Sequence, residues 1–260
     1  MLEISYPCDM ELIVVDDGST DGTGRLIGQI SDPRVTVRHH PRNRGKGAAL
    51  MTATSIATGT YILPFDADLE YAPEDIPKML SPVLQGRTHV VYGARLFGRR
   101  AVYQSYRYVI GNRLLTTIAN LLFNANLSDL HTCLKLMPLD MFKRMGLRES
   151  GFGLDTELTA SLLRAGIRPF EVPVSYHGRS RIAGKKITWR DALRCVWILL
   201  RVRAVPSSRL PSVAVAAAEP LRASSGETAR GDLARVSAFD PVGSDDAVVA
   251  AAGQLRAVRS

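Results

Sequence analysis

Residues 61–70 read YILPFDADLE, an apolar run that leads directly into two aspartates, Asp66 and Asp68. The run predicts a buried strand, and carboxylates at its end lie in the crevice where open α/β sheets bind ligands. Two hard anions placed there favour a divalent cation that carries a phosphate-bearing ligand. Glu70 follows two residues after Asp68, so in an extended chain its side chain lies on the same side and offers a third oxygen ligand. A solvated acidic turn after the strand is the alternative interpretation.

A second strand with an acidic end lies earlier in the chain. Residues 11–17 read ELIVVDD, and residues 18–22 then turn the chain towards a helix. An acid such as Asp16 or Asp17 at a strand end accepts hydrogen bonds from a base or a ribose. The alternative is an ordinary turn between strand and helix, in which a side chain of residues 19–21 caps the helix.

Predicted strands and helices alternate along most of the chain. Strands are expected at 11–16, 34–38, 60–65, 88–93 and 170–175. Helices are expected at 21–31, 45–57, 74–84, 104–124, 139–145, 154–165 and 188–202. The alternation predicts an α/β domain with a mostly parallel sheet.

The composition changes at about Pro206, and this change divides the chain in two. Of 260 residues, 46% are apolar and 22% are charged, which suits one globular domain plus an extension. We expect the domain over residues 1–205. Residues 206–260 are rich in Ala, Ser, Pro, Gly and Arg, and we expect them to be mostly disordered. Two runs in this tail, VAVAAAEP and DDAVVAAAG, are helix candidates without a periodic core face.

Cysteines and apolar runs indicate the cellular environment. The three cysteines are widely spaced and form no zinc pattern, which favours a reducing compartment. The N-terminus carries acids and lacks a long apolar core, so no signal peptide is recognised. No stretch approaches the roughly 18 apolar residues of a membrane span. These features predict a cytoplasmic protein.

The positive charge of the chain is concentrated in one stretch. The formal net charge is +8, and the tail is neutral because its six arginines balance six acids. Residues 76–128 contain seven basic residues and no acid. Such a basic, apolar surface favours the binding of phosphate groups. These could belong to nucleic acid, to an anionic membrane or to a phospholipid-like substrate. Nucleic acid is disfavoured because no recognition module matches, and a merely solvated basic face is the alternative.

Nine blocks of sequence occur in an order that resembles the family 2 inverting glycosyltransferases. They are DDGSTDGT (16–23), NRGKGAAL (43–50), FDADLE (65–70), YGAR (92–95), GNRLLTTIANLLF (111–123), SDLHTCLKL (128–136), GFGLDTEL (151–158), EVPVSYHGRS (171–180) and GKKITWRDALR (184–194). The resemblance covers about residues 10–203. It is closest to the dolichol-phosphate mannosyltransferases and the bacterial polyprenyl-phosphate glycosyltransferases. Each block alone is weak, and the ordered set is specific.

This resemblance implies both a fold and an activity. The fold is a Rossmann-like, nucleotide-sugar-binding domain of the GT-A type. The activity is a hexosyltransferase reaction, which moves a hexose from a UDP- or GDP-sugar to a polyprenyl or dolichyl phosphate with the help of Mg²⁺ or Mn²⁺. The partners are therefore a nucleotide-sugar donor, a polyprenyl-phosphate acceptor and the inner face of a membrane, with no nucleic acid.

The resemblance also assigns residues to the donor and to the metal. Donor contacts are implied for Asp16, Asp17, Gly18, Ser19, Lys46 and Asp66. Metal ligands are implied at Asp66, Asp68 and Glu70. For Lys46, a contact with the donor phosphate and a plain surface charge are equally open.

Acceptor and reaction-centre residues follow from the same resemblance. Contacts with the acceptor phosphate are implied for Arg95, Arg113 and Lys135. Asp68, Asp155 and Glu157 are implied at the reaction centre. With a hydroxyl acceptor, Asp155 or Glu157 is the general base, whereas an ionised phosphate acceptor requires none. The alternative is that one of these acids caps the following helix.

Two amphipathic segments favour contact with a membrane interface. Residues 106–123 combine Arg107 and Arg113 with Tyr, Ile and Leu, and residues 188–203 carry two tryptophans. For the first segment, a core-facing helix with a basic outer face is the alternative.

The resemblance breaks near the N-terminus. Relatives place a strand, a P-x-Y-N-E-like segment and a helix before the DDGS strand, whereas ten residues precede it here. This implies a truncated domain whose sheet lacks its first, central strand and exposes apolar edges. The alternative function is accordingly a non-catalytic truncated paralogue that binds an anionic membrane or a partner protein.

Overall fold

The computed structural model describes residues 1–95, 101–102, 105–178, 189–205 and 247–253. Its strands are β1 (Glu11–Asp16), β2 (Val35–His39), β3 (Tyr61–Asp66), β4 (Val91–Ala94), β5 (Ala101–Val102), β6 (Lys135–Pro138), β7 (Phe170–Pro173), β8 (Tyr176–His177) and β9 (Ala247–Gly253). Its helices are α1 (Thr23–Ile27), α2 (Lys46–Ile56), α3 (Ile76–Leu84), α4 (Tyr106–Phe123), α5 (Leu139–Arg144), α6 (Gly153–Arg164) and α7 (Trp189–Ala204), with a 3₁₀ turn at Pro73–Asp75.

A seven-stranded sheet forms the centre of the described part of the chain, in the order β2-β1-β9-β3-β6-β4-β7. The pairs β1–β2 and β4–β7 are parallel. Strands β9 and β6 run antiparallel to their neighbours, so the other five strands share one direction. The predicted α/β class is confirmed, and the sheet is mixed.

Strand β9 corrects two expectations about the sheet. It lies between β1 and β3, with Ala247 opposite Asp16 and Val248 opposite Asp66. The run DDAVVAAAG therefore supplies a strand, where the sequence suggested a helix within a mostly disordered tail. The facing edges of β1 and β3 are paired rather than exposed, because β9 satisfies their backbone N–H and C=O groups. Residues 206–246 and 254–260 of the predicted tail lie outside the described residues.

Most predicted elements lie within three residues of their observed bounds, and the exceptions are local. Helix α1 covers only Thr23–Ile27, because Gly22 at its N-cap has a φ of 91° and the helix ends before Gly28. Strand β6 was not predicted. It is four residues long and begins with a fully buried lysine, Lys135, so it lacks the apolar pattern of a strand.

Apolar side chains cover both faces of the sheet. One cluster joins Ile13 and Ile62 to Leu50 of α2 and Leu158 of α6. A second cluster packs α3 against the opposite face. A third holds α4, α6 and α7 together away from the sheet. Full burial of each such aliphatic side chain contributes about 1.5–3 kcal/mol, and these layers bring the carboxyl ends of β1, β3 and β4 to one edge.

Candidate functional site

A charged cluster lies at the carboxyl end of β3. Asp66 is the last residue of β3, Lys46 is the first of α2, and Asp155 lies in the first turn of α6. The Lys46 Nζ atom lies 2.9 Å from Asp66 Oδ2 and 3.1 Å from Asp155 Oδ2. The structure thus brings together three residues that the sequence predicted for the site.

A second ammonium group lies behind this cluster. The Lys135 Nζ atom lies 2.9 Å from Asp155 Oδ1 and 3.1 Å from the Asp155 backbone oxygen. The Lys135 side chain is fully buried and lies over the ring of Tyr92. Lys135 therefore serves as an internal counter-charge of Asp155, and its expected contact with an acceptor phosphate stays a prediction.

These contacts shift the pKa values of the cluster. Burial would raise the pKa of Asp155, but the ammonium groups of Lys135 and Lys46 hold it well below its usual range. Burial would lower the pKa of Lys46, but the carboxylates of Asp155 and Asp66 hold it well above its usual range. For Lys135, burial outweighs Asp155 and lowers the pKa. An acid with so low a pKa accepts a proton poorly at neutral pH, which makes Asp155 a weak general base.

The predicted metal ligands divide into two groups. Asp66 and Asp68 are partly exposed, and Asp68 Oδ1 accepts the Glu70 N–H at 3.1 Å. The Glu70 carboxylate is buried and accepts the Tyr176 hydroxyl at 2.7 Å. The described residues contain no group of three or more His, Cys, Asp or Glu side chains that could hold a metal ion. Asp66 with Asp68 suits Mg²⁺ or Mn²⁺, which use one or two carboxylates plus phosphate oxygens. Glu70 as a third ligand stays a prediction.

Asp16 is buried at the end of β1 and forms a small hydrogen-bonded network there. Its carboxylate accepts the Ser19 N–H at 3.0 Å and lies 3.0 Å from His39 Nδ1. Burial would raise the pKa of Asp16, but the hydrogen bonds from Ser19 and His39 lower it. His39 was not predicted from the sequence; it lies one strand away and is half exposed. Its position at the end of β2, the strand that pairs with β1, was the available signal.

Asp17 holds the loop that leads into α2. Its carboxylate accepts the N–H groups of Arg44 and Gly45 and lies 2.6 Å from His40 Nδ1. Gly18 faces the same loop, with a φ of 85° and no room for a Cβ, which would lie 2.6 Å from the Asn43 nitrogen. This buried carboxylate fixes the loop before Lys46, and the donor contact of Asp17 stays a prediction.

The predicted acceptor cations do not form one group. Arg95 ends β4 and binds Asp129 through two bonds of 2.5 and 2.8 Å, with its guanidinium 4.8 Å from the centre of the Tyr176 ring. Burial would raise the pKa of Asp129, but Arg95 lowers it to about 2. Arg113 is exposed on α4. The structure thus gives separate environments to Arg95, Arg113 and Lys135.

Glu157 stabilises a loop rather than facing the charged cluster. Its Oε2 atom accepts the N–H groups of Arg148 and Glu149, each at 2.8 Å. Its Oε1 atom lies 2.7 Å from Arg201 of α7. Glu157 at the reaction centre stays a prediction. The alternative, a cap on α6, is not observed, since no side chain caps that helix.

His131 joins three helices in a neutral state. Its Nδ1 lies 2.9 Å from the Asn112 side chain of α4, and its Nε2 lies 3.0 Å from Thr156 of α6 and 3.6 Å from Cys195 of α7. Burial lowers the pKa of His131 to about 4, so the imidazole is uncharged at neutral pH. It is a structural link between these helices.

Comparison with known proteins gives a consistent set of relatives. The family model described as glycosyl transferase family 2 matches residues 2–146. The glycosyltransferase AglJ of Haloferax volcanii is 30% identical over 169 residues, which cover 65% of this chain and 54% of AglJ. The polyprenol monophosphomannose synthase of Mycolicibacterium smegmatis is 26% identical over 204 residues, which cover 73% of this chain and 76% of that protein.

Solved structures share the fold. Mannosyl-3-phosphoglycerate synthase from Rubrobacter xylanophilus aligns with a TM-score of 0.54 and 19% identity, over 73% of this chain and 61% of that one. Glucosyl-3-phosphoglycerate synthase from Mycobacterium tuberculosis, in complex with Mn²⁺, UDP-glucose and phosphoglyceric acid, aligns with a TM-score of 0.51 and 18% identity, over 75% of this chain and 69% of that one.

The match in length is partial. The chain covers 54% of AglJ and 42% of the hexosyltransferase Agl6 of Haloferax volcanii, to which it is 30% identical over 179 residues and 66% of its own length. It thus spans about half the length of these two relatives.

Proposed function

The chain belongs to glycosyl transferase family 2, and from this premise we propose that it transfers one hexose from a UDP- or GDP-sugar to a polyprenyl or dolichyl phosphate. The observation that carries the proposal is the Lys46 ammonium, held between Asp66 and Asp155 at the carboxyl end of β3. A fixed positive charge in this crevice suits the diphosphate of a nucleotide sugar. The similarity to a polyprenol monophosphomannose synthase supports the acceptor class.

We assign the donor to the edge formed by β1 and β3. Asp66 and Asp68 would hold a divalent cation, and this assignment rests on the position of these two partly exposed carboxylates at the end of β3 and on the related fold solved with Mn²⁺ and UDP-glucose. When bound, the cation would spread the charge of the departing diphosphate. Lys46 adds a positive charge beside Asp66, and Asp16 with Ser19 at the end of β1 is proposed for the nucleoside.

The reaction is a direct displacement with inversion. A phosphate oxygen of the acceptor attacks the anomeric carbon, and the bond from that carbon to the diphosphate oxygen breaks. The nucleoside diphosphate leaves with the bonding electron pair. A phosphate monoester is largely ionised at neutral pH, so no proton has to be removed. The lowered pKa of Asp155 supports this scheme, because Asp155 orients Lys46 and Lys135 and is a poor base.

The acceptor phosphate is proposed to meet Arg113 first. Arg113 is exposed on α4, within the stretch that contains no acid. Arg95 is proposed as a second contact, because its guanidinium is held at the end of β4 by Asp129. Arginine suits this role through its planar pairs of N–H donors.

We also propose peripheral contact with the inner face of a membrane. None of the described helices is long and apolar enough to cross a bilayer. Packed helices α4 and α7 instead expose several large apolar side chains, at Tyr106, Ile110, Leu114, Leu121, Trp189, Leu193, Trp197 and Leu200. Such faces beside basic residues suit an interface with anionic lipid.

Calorimetry with UDP-glucose and GDP-mannose in the presence of Mn²⁺ tests the donor site. We expect one donor to bind only with metal, and Asp68→Ala to abolish that binding. Asp140→Ala is the matched control, because Asp140 is exposed on α5 and is paired there with Arg144. If a donor binds equally well without Mn²⁺, or binds equally to Asp68→Ala, the assignment of the metal is wrong.

Vesicle flotation tests the membrane surface. Leu193→Ser on α7 should weaken binding to vesicles that contain anionic lipid, because Leu193 is 60% exposed on the proposed contact face. Leu26→Ser is the control, since Leu26 is 59% exposed on α1, a helix that does not belong to the proposed contact face. Equal effects of the two changes would contradict the assignment of this surface.

A further inference from the structure

Two carboxylates and two guanidinium groups join α7 to α6 and to the loop before α6. We call this group the α7 clamp, and it consists of Glu149, Glu157, Arg194 and Arg201. Arg194 Nη2 lies 2.9 Å from Glu149 Oε2, and Arg201 Nη1 lies 3.3 Å from Glu149 Oε1. Arg201 Nη2 lies 2.7 Å from Glu157 Oε1. Both carboxylates are only 5% exposed, so they depend on these arginines for their counter-charge.

Glu157 connects the clamp to the backbone of the loop. One of its oxygens binds Arg201, and the other accepts the N–H groups of Arg148 and Glu149 at 2.8 Å. A single buried side chain therefore holds α7 on one side and loop residues 148–149 on the other. The position of this loop consequently depends on where the α7 arginines lie.

The same loop packs directly against the start of α2. The Ser150 backbone oxygen accepts the Ala48 N–H at 3.2 Å. A Cβ at Gly47 would overlap the Glu149 backbone oxygen, so the two segments touch without a gap. Lys46 precedes these residues and carries its ammonium to Asp66. A shift of the loop would therefore displace Lys46.

We propose that the α7 clamp positions Lys46 at the donor site. In this arrangement α7 holds residues 148–150 through Glu149 and Glu157, and the loop holds the first turn of α2. The clamp members are positioning residues, since they act through Lys46. The consequence for the donor rests on the proposed function: donor affinity depends on how α7 is placed, and α7 is also a helix of the proposed membrane contact.

Two measurements test the clamp without any donor. The first is the acetylation rate of Lys46 by acetic anhydride, measured by peptide mass spectrometry with the exposed Lys143 as internal reference. The second is the hydrogen-exchange rate of the Ala48 amide. Arg201→Gln should raise both rates several-fold, because Lys46 loses its fixed place between two carboxylates. Arg203→Gln is the matched control, since Arg203 on the same helix donates to the Leu122 oxygen of α4 instead.

A milder variant keeps the test decisive if Arg201→Gln unfolds. Arg194 is 63% exposed and binds only the Glu149 side of the clamp, so Arg194→Gln should fold and give a smaller rise in both rates. Arg201→Lys retains the positive charge but not the planar guanidinium group. It should therefore protect Lys46 and the Ala48 amide better than Arg201→Gln does, but less well than arginine. Unchanged Lys46 acetylation in a folded Arg201→Gln or Arg194→Gln protein would overturn the proposal, as would an equal rise in Arg203→Gln.

Donor binding then separates the two proposals. Calorimetry with Mn²⁺ and UDP-glucose or GDP-mannose should give a several-fold weaker affinity for Arg201→Gln than for Arg203→Gln. If the unmodified protein binds neither donor, the proposed function loses its support. The acetylation rate of Lys46 and the hydrogen-exchange rate of the Ala48 amide still test whether the clamp positions Lys46. If both variants bind a donor as tightly as the unmodified protein, the clamp has no influence on the donor site.

Discussion

At the scale of single residues, the site is organised by charges that neutralise one another. Lys46 and Lys135 share Asp155, and Arg95 is paired with Asp129. Each of these groups is costly to bury alone, and together they hold the ends of α2, β4, β6 and α6 in fixed relation. The predicted residues are thus present at the site, and several of them bind each other.

Lys46→Met should destabilise the protein by roughly 2 kcal/mol, because Asp66 and Asp155 would lose a counter-charge that is largely shielded from solvent. Urea unfolding at pH 7 measures this change. Lys143→Met is the control, since the exposed Lys143 only donates to the Ala57 oxygen and should change stability by less than about 0.5 kcal/mol. Equal losses for the two variants would show that the cluster contributes nothing specific.

Asp129 should make stability depend on pH in the acid range. Its pKa is lowered from 3.8 to about 2 in the folded state, so its contribution is complete above about pH 4 and is lost as the pH falls towards 2. The loss should amount to roughly 2 kcal/mol. In urea unfolding between pH 4.5 and 2.5, Asp129→Asn should flatten the pH dependence by that amount, whereas Asp140→Asn should not. The same slope in both variants would contradict the paired state of Asp129.

At the scale of elements, β9 connects the two parts of the sheet. Among the described strands, β1 pairs only with β2 and β9, and β3 pairs only with β6 and β9. The β2–β1 pair is therefore joined to the rest of the sheet through β9. Because Asp16 and Asp66 lie opposite the first residues of β9, this strand also sets the distance between the two proposed sides of the donor site.

Ala250→Pro should destabilise the protein by about 3 kcal/mol or more, because proline removes a backbone N–H from β9, a strand that is paired on both sides. Ala250 lies opposite Ile13 on one side and Pro64 on the other. Thermal unfolding and size-exclusion chromatography should reveal lower stability and aggregation. Ala250→Ser, which retains the N–H, should behave like the unmodified protein. An unaffected Ala250→Pro protein would contradict the pairing of β9.

At the scale of the whole molecule, charge and apolar surface act together. The excess of +8 lies outside the C-terminal tail, since residues 206–260 are neutral. The exposed apolar residues of α4 and α7 lie on helices that also carry arginines. Attraction to anionic lipid and burial of apolar side chains would therefore reinforce each other at this surface.

Binding to anionic vesicles should weaken as salt is raised, because the screening length falls from about 10 Å at 0.1 M salt to about 3 Å at 1 M. Flotation with anionic and with neutral vesicles measures the effect. Weak binding to neutral vesicles should persist at high salt, since it depends on apolar contact alone. Binding to anionic vesicles that does not change with salt would contradict a role for the basic surface.

The sequence by itself determined the α/β class, most element bounds and the family, because these follow from local periodicity and from short ordered blocks. Only the tertiary structure decided the pairing of Lys46 with Asp155, which are 109 positions apart. It also decided the burial of Lys135, the hydrogen bonds of Glu157 to the loop before α6 and the insertion of β9. Local patterns do not encode which distant charges meet, since that depends on how the layers pack and on the cost of leaving a buried charge unpaired.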